Sequence, residues 1–90
     1  MAFLKWWIDK DGSARLCEHG TSAVPDDMHL GGAMELWGMT TDQALDAGMA
    51  RVVLEGRTLY CQSRHKLNHK QKRSLGRLAF DNNAECIIGK

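Results

Sequence analysis

Between Ser63 and Arg77 the sequence has no acidic residue, although six of those positions are Lys or Arg and two are His. Residues 1–62 lack the matching cations. They hold five basic residues (Lys5, Lys10, Arg15, Arg51, Arg57) against nine acidic ones. The formal net charge of +1 therefore conceals a charge-separated molecule. Other absences exclude whole classes of function. No apolar run approaches the roughly 20 residues that span a bilayer, so no membrane association is expected. Three cysteines (Cys17, Cys61, Cys86) are an odd set and imply no dense disulfide framework. No Cys-x-x-Cys knuckle is present. Gly31-Gly32 is not followed by Lys-Ser/Thr, so there is no phosphate-cradling loop. Met1 to Asp9 lacks the layout of a secretory leader, because its apolar stretch is short and runs into acid. The expectation is one small domain in a reducing, cytoplasmic setting.

What is present alternates between strand and helix signals. Phe3 to Ile8 reads as a strand with Leu4, Trp6 and Ile8 on one face and Phe3, Lys5 and Trp7 on the other. Asp9-Lys10-Asp11-Gly12 is a turn, and Ser13 to His19 returns as a weakly patterned edge strand. Asp26 or Asp27 can cap a first short helix carrying Leu30, Ala33, Met34 and Trp37. The glycines at 31 and 32 each cost about 1 kcal/mol inside a helix, which favours a start after them. Gly38 is a natural stop. Thr40 or Thr41 caps a second short helix to Ala47, with Gly48 as its left-handed terminator. Ala50–Leu54 and Arg57–Gln62 form a hairpin about Glu55-Gly56. That turn pairs Val52 with Leu59 and Ala50 with Cys61, and sets Arg51 across from Tyr60.

Asn68 with Gln71 three residues later forms a capping-box signature for the last helix. At 100° per residue, Gln71, Leu75, Leu78 and Ala79 share one stripe, while Lys70, Arg73 and Arg77 share the opposite face. Phe80 falls off the core stripe beside Gly76, which suggests a chain segment crossing there and covering the ring. Asn82-Asn83 ends the helix, and Glu85 to Ile88 is a final short strand. The fold expected is α+β, with a mostly antiparallel sheet of two hairpins and a C-terminal strand. One long C-terminal helix and two short helices cover it.

Three groups of residues carry a resemblance. They are the aromatic strand with Asp-Lys-Asp-Gly, the run Gly48-Met49-Ala50-Arg51-Val52 with Gly56-Arg57-Thr58-Leu59-Tyr60, and Gln71, Leu75, Leu78-Ala79 with Ile87. Together they resemble a diffuse group of small proteins of bacteriophages and other mobile elements. Members of that group combine an aromatic strand, a Gly-x-x-Arg-Val hairpin and a Gln-x-x-x-Leu-x-x-Leu-Ala helix. This chain departs from them at Met49, where an aromatic is usual, and in a longer segment over residues 20–43. The resemblance implies a phage or prophage setting and transfers no activity.

The chemistry of the residues points to binding rather than catalysis. Lys70, Arg73 and Arg77, flanked by Lys66 and His69, form a cationic row. Such a row is in the ordinary case a solvated helix face, and it also matches a nucleic-acid backbone. Nucleic acid or a nucleoprotein is the leading partner class. Trp7, Arg51 and Tyr60 are candidate protein contacts, because aromatic residues and Arg anchor interfaces. A host protein is thus the alternative partner, with the chain acting as an inhibitor of a defence or transcription machine. The acids Asp26, Asp27, Glu35, Asp42 and Asp46 can imitate nucleic acid toward such a target. A homodimer through an open strand edge, residues 13–19 or 84–88, is a further alternative. Cys61, His65 and His69 are four apart, but Cys61 falls on a core face and the spacing crosses a loop, so no metal is assigned. No cofactor and no catalytic residue are assigned, and the chain is read as a non-enzyme.

Overall fold

The computed structural model describes residues 4–17 and 28–89. The expected cap at Asp26 or Asp27, Phe3 and His19 lie outside the described residues. The elements are β1 (Leu4–Ile8), β2 (Ala14–Cys17), α1 (Ala33–Trp37), α2 (Thr41–Asp46), β3 (Ala50–Glu55), β4 (Thr58–Gln62), α3 (His69–Asp81) and β5 (Glu85–Gly89). The strands form one sheet in the order β2-β1-β3-β4-β5. Three pairings are antiparallel and β4–β5 is parallel. The architecture is therefore α+β, but the sheet is mixed rather than mostly antiparallel. The reason is topological. After β4 the chain crosses by way of α3, and such a crossover returns it to the starting end of β4, so β5 runs the same way. At 13 residues α3 is the longest of the three helices among the described residues, yet of ordinary rather than great length.

The β1–β3 register aligns Trp6 with Val52 and Ile8 with Ala50. That face, continued by Leu59 and Cys61, packs on Leu67 and Leu75, with Leu78 and Ala79 at its margin. The opposite face is covered at one end by α1 and α2, where Trp7 packs with Ala33, Ala44, Leu45 and Met49. The Trp7 and Trp37 rings meet edge to face, with centroids 5.8 Å apart. Trp7 is completely buried, so it is a core residue and not the contact residue expected of it.

Local chemistry explains the element ends. Thr40 and Gln43 exchange side-chain and backbone hydrogen bonds as a capping box, and Gly48 follows α2 with φ 101°. The first helix starts after the glycines, as their propensity dictates, and stops at Gly38 with φ 66°. The β3–β4 hairpin turns on Gly56-Arg57, not Glu55-Gly56. Glu55 pairs with Thr58, Leu54 with Leu59 and Val52 with Cys61. Gly56 takes φ 65° at the first central position of the turn, which glycine alone adopts cheaply and which suits the twist of a hairpin. The register moves by an even step, so every side chain keeps its expected face. Arg51 consequently stands across from Gln62, and Val53 across from Tyr60.

Helix α3 is tied down at its start. The Asn68 side chain accepts from Gln71 N at 2.8 Å, Gln71 Oε1 accepts from Asn68 N at 3.2 Å, and Gln71 Nε2 donates to the Gly48 carbonyl at 2.9 Å. Asn68 Nδ2 donates to the Lys10 carbonyl at 2.8 Å, and the Ser74 hydroxyl donates to the Gly12 carbonyl. The helix N-terminus is thus pinned both to the β1–β2 turn and to the α2–β3 turn. No helix among the described residues is long and apolar enough to cross a membrane.

Candidate functional site

The amphipathic pattern of α3 places its cations where the sequence puts them. Gln71 and Leu75 are buried, while His69, Lys70, Arg73 and Arg77 are exposed. None of these four forms an ion pair with a described residue. Their electrostatic setting is positive for a second reason. Side chains in the first turn of a helix face the partial positive charge of unpaired N–H groups, and acids are favoured there. Here the first turn has no acid and carries His69 and Lys70 instead.

Phe80 lies on the same outer face. It is 86% exposed, and among the described residues no segment outside α3 approaches the Cβ position of Gly76. The expected covering segment is therefore absent among the described residues. A bare phenyl ring stands one turn beyond Arg77 and two beyond Arg73.

The basic stretch divides at the helix. Arg64 is not a free cation. Its Nη1 bonds Asp46 Oδ1 at 2.6 Å and its Nη2 bonds Asp42 Oδ1 at 2.7 Å. These hydrogen bonds raise the guanidinium pKa still further. His65 Nε2 lies 2.8 Å from the Asp46 carbonyl oxygen, so the loop is fastened to the end of α2. Lys66 points elsewhere. With Lys72 it borders a groove of about 500 Å³ also lined by Ser63, Leu67, Ile88 and Gly89. Lys66 was grouped by sequence with the helical row, but the structure sets it on this separate flank. Lys72 lies outside the row that the sequence pattern picks out. Its signal was available, since it lies about 160° around the helix from Lys70 when taken at 100° per residue.

Arg51 and Tyr60 share the other sheet face but not a cross-strand pair. Arg51 Nη1 donates to Gln62 Oε1 at 3.4 Å. Tyr60 stands instead between Val53 and Ile87 in one row across three strands. Tyr60 and Ile87 are each nearly half exposed, so this end of the sheet is open while the Trp7 end is covered.

Cys61 is buried in the core and burial pushes its thiol pKa up to about 11, which leaves it a poor nucleophile and a poor metal ligand at neutral pH. Among the described residues no three His, Cys, Asp or Glu side chains are placed to hold a metal ion. Comparison with protein-family models, with curated proteins and with solved structures finds no match.

Proposed function

We propose that this chain is a small non-enzymatic binding protein of a phage or other mobile element, which contacts nucleic acid or a nucleoprotein through the outer face of α3. The observation that carries the reading is the row Lys70, Arg73 and Arg77, exposed and without an ion pair to any described residue, though Lys70 lies near enough to help the Ser13 backbone hydrogen bond hold the Asp11 pKa down, on a helix whose other face is fastened to two turns. A rigid support and exposed cations are what backbone recognition requires. Lys70, in the first turn, opposes the helix dipole and so does not serve helix stability. Exposed Phe80 beside Arg73 and Arg77 adds a ring on which an unpaired base can stack.

The test is fluorescence anisotropy with labelled duplex DNA, single-stranded DNA and RNA over a salt series. Three phosphate contacts predict a log–log slope of about −2.7 on duplex DNA. The triple variant K70E/R73E/R77E should lose binding and keep its fold. Undetectable binding of all three nucleic acids at low salt would end the proposal.

A second reading rests on the open sheet face. Val53, Tyr60 and Ile87 in one row, with Arg51 alongside, have the composition of a protein contact, and an inhibitor of a host machine would use such a surface. Co-purification of one protein that survives nuclease treatment and is lost in Tyr60→Ala would favour it over the first.

A further inference from the structure

The groove beside Lys66 and Lys72 has a different character from the outer row. Its floor is aliphatic, formed by Leu67 and by Ile88, which is 58% exposed. Its rim carries Lys66 and Lys72, beside His65 and an Arg64 already paired with Asp42 and Asp46, and no carboxylate lines the groove itself. One wall is strand β5, which among the described residues is an edge of the sheet. Glu85 N donates to the Arg57 carbonyl at 2.8 Å, so Glu85 faces β4. By the alternation of a parallel pair, Ile87 and Gly89 face β4 too, while Cys86 and Ile88 offer their N–H and C=O groups to the open side. An open edge, an aliphatic floor and a cationic rim therefore adjoin one another.

We propose that this edge and groove bind an extended acidic segment of a partner protein, which adds to the sheet as a sixth strand beside β5. Backbone groups of the segment pair with Cys86 and Ile88. One apolar side chain of the segment lies against Ile88 and Leu67. Residues two positions away share that face of an added strand, and there a carboxylate meets Lys66 or Lys72. The recognised pattern is thus an apolar residue with an acid two positions before or after it. A nucleic acid satisfies these features poorly. It has no use for strand-edge N–H and C=O groups in alternation, and the groove's one ring, the His65 imidazole, is fastened through Nε2 to the Asp46 carbonyl oxygen 2.8 Å away. This site does not depend on the outer row, and the two stand or fall separately.

The experiment selects a displayed library of random peptides, each about nine residues long, against the full chain. The best-enriched sequence is then synthesised with a fluorophore and its anisotropy measured. The expected result is enrichment of the apolar-x-acid or acid-x-apolar pattern. Affinity should fall by about tenfold or more in K66E/K72E, which changes only exposed ammonium groups, and stay within about threefold in K70E/R73E/R77E. Ile88→Pro removes one outward N–H without touching the β4 ladder and should also weaken binding. Circular dichroism melts confirm that each variant folds, and K66E/K72E carries the test if Ile88→Pro does not. No enrichment, enrichment without the pattern, full binding by K66E/K72E, or displacement of the peptide by a single-stranded oligonucleotide would each overturn the proposal.

Discussion

Gln71→Ala separates the structural side of α3 from its exposed side. Gln71 is only 2% exposed, and its side chain serves two elements at once. Oε1 accepts from Asn68 N within the capping box, and Nε2 donates to the Gly48 carbonyl beyond α2. Alanine abolishes both bonds. The half-buried Gly48 carbonyl then loses its donor, at about 1–3 kcal/mol. Loss of one arm of the cap and of the packed side-chain stem adds about 1 kcal/mol. The sum, about 2–4 kcal/mol, is a large share of the stability of so small a protein. It should lower the melting temperature by roughly 10–25 °C. Lys70→Ala, one residue earlier and exposed, should stay within about 0.5 kcal/mol.

Gln71→Glu refines the test. It keeps an acceptor for Asn68 N but replaces the Nε2 donor by an oxygen facing the Gly48 carbonyl. A buried carboxylate in that position is disfavoured, so its folded pKa must rise above the ordinary Glu value of about 4.3. A protonated carboxyl can still donate to Gly48. The variant should therefore come nearest to wild-type stability below about pH 4 and lose stability as the pH climbs through the raised folded pKa. Thermal melts by circular dichroism across this range provide the measurement. A Gln71→Ala protein within about 1 kcal/mol of wild type, or a Gln71→Glu deficit that shrinks with rising pH, would refute the reasoning.

Other outcomes follow from the same contacts. Leu75→Ala should cost about 2–5 kcal/mol in chemical denaturation, since it empties part of the main core. Gly31→Ala should destabilise the protein in the same assay, because φ is +79° there and a new Cβ would collide with the Leu16 carbonyl oxygen. Alkylation followed by mass spectrometry should label exposed Cys86 first, and buried Cys17 and Cys61 only on unfolding. The Asp11 carboxylate accepts from Ser13 N at 2.8 Å, and that hydrogen bond holds its pKa below the usual range. Its support of the turn should be present above the ordinary carboxylate pKa and fade as the pH falls through the lowered value. In Asp11→Asn the Ser13 amide shift should no longer follow that titration.

Much of this fold is readable from single residues. Asn68 and Gln71 announce the capping box, and Gly38 and Gly48 announce helix ends, because each role needs a chemistry that few residues supply. The hairpin was also legible, but its turn was not. Glu55-Gly56 and Gly56-Arg57 put the same side chains on the same faces, so hydrophobic alternation cannot choose between them. The choice rests on Gly56, which suits the first central position with its positive φ. The parallel course of β5 left no mark in Glu85 to Gly89 themselves. It lay in the connection, since a helix between two strands is the usual mark of a crossover. The exposed row of α3 was legible as a charge pattern. The groove was not, because Leu67 and Ile88 are 21 positions apart in the sequence and meet Lys66 and Lys72 only through that crossover.

The charge separation of the sequence has a structural counterpart. Asp42 and Asp46 are drawn to Arg64, which gives one cation of the basic stretch carboxylate partners and fastens the loop to α2. The cations that make no ion pair with a described residue fall on two flanks, Lys70 with Arg73 and Arg77 on one side of α3 and Lys72 with Lys66 of the preceding loop on the other. Both flanks are held by the same buried residues, Gln71 and Leu75. A substitution at either buried position must weaken both flanks together through stability, whereas charge reversal on one flank leaves the other intact. Binding measured on the two triple and double charge variants therefore tells whether the cations serve one anionic partner that wraps the helix or two partners that meet it from opposite sides. In the first case losses on the two flanks are coupled, and their free energies fail to add; in the second they are independent.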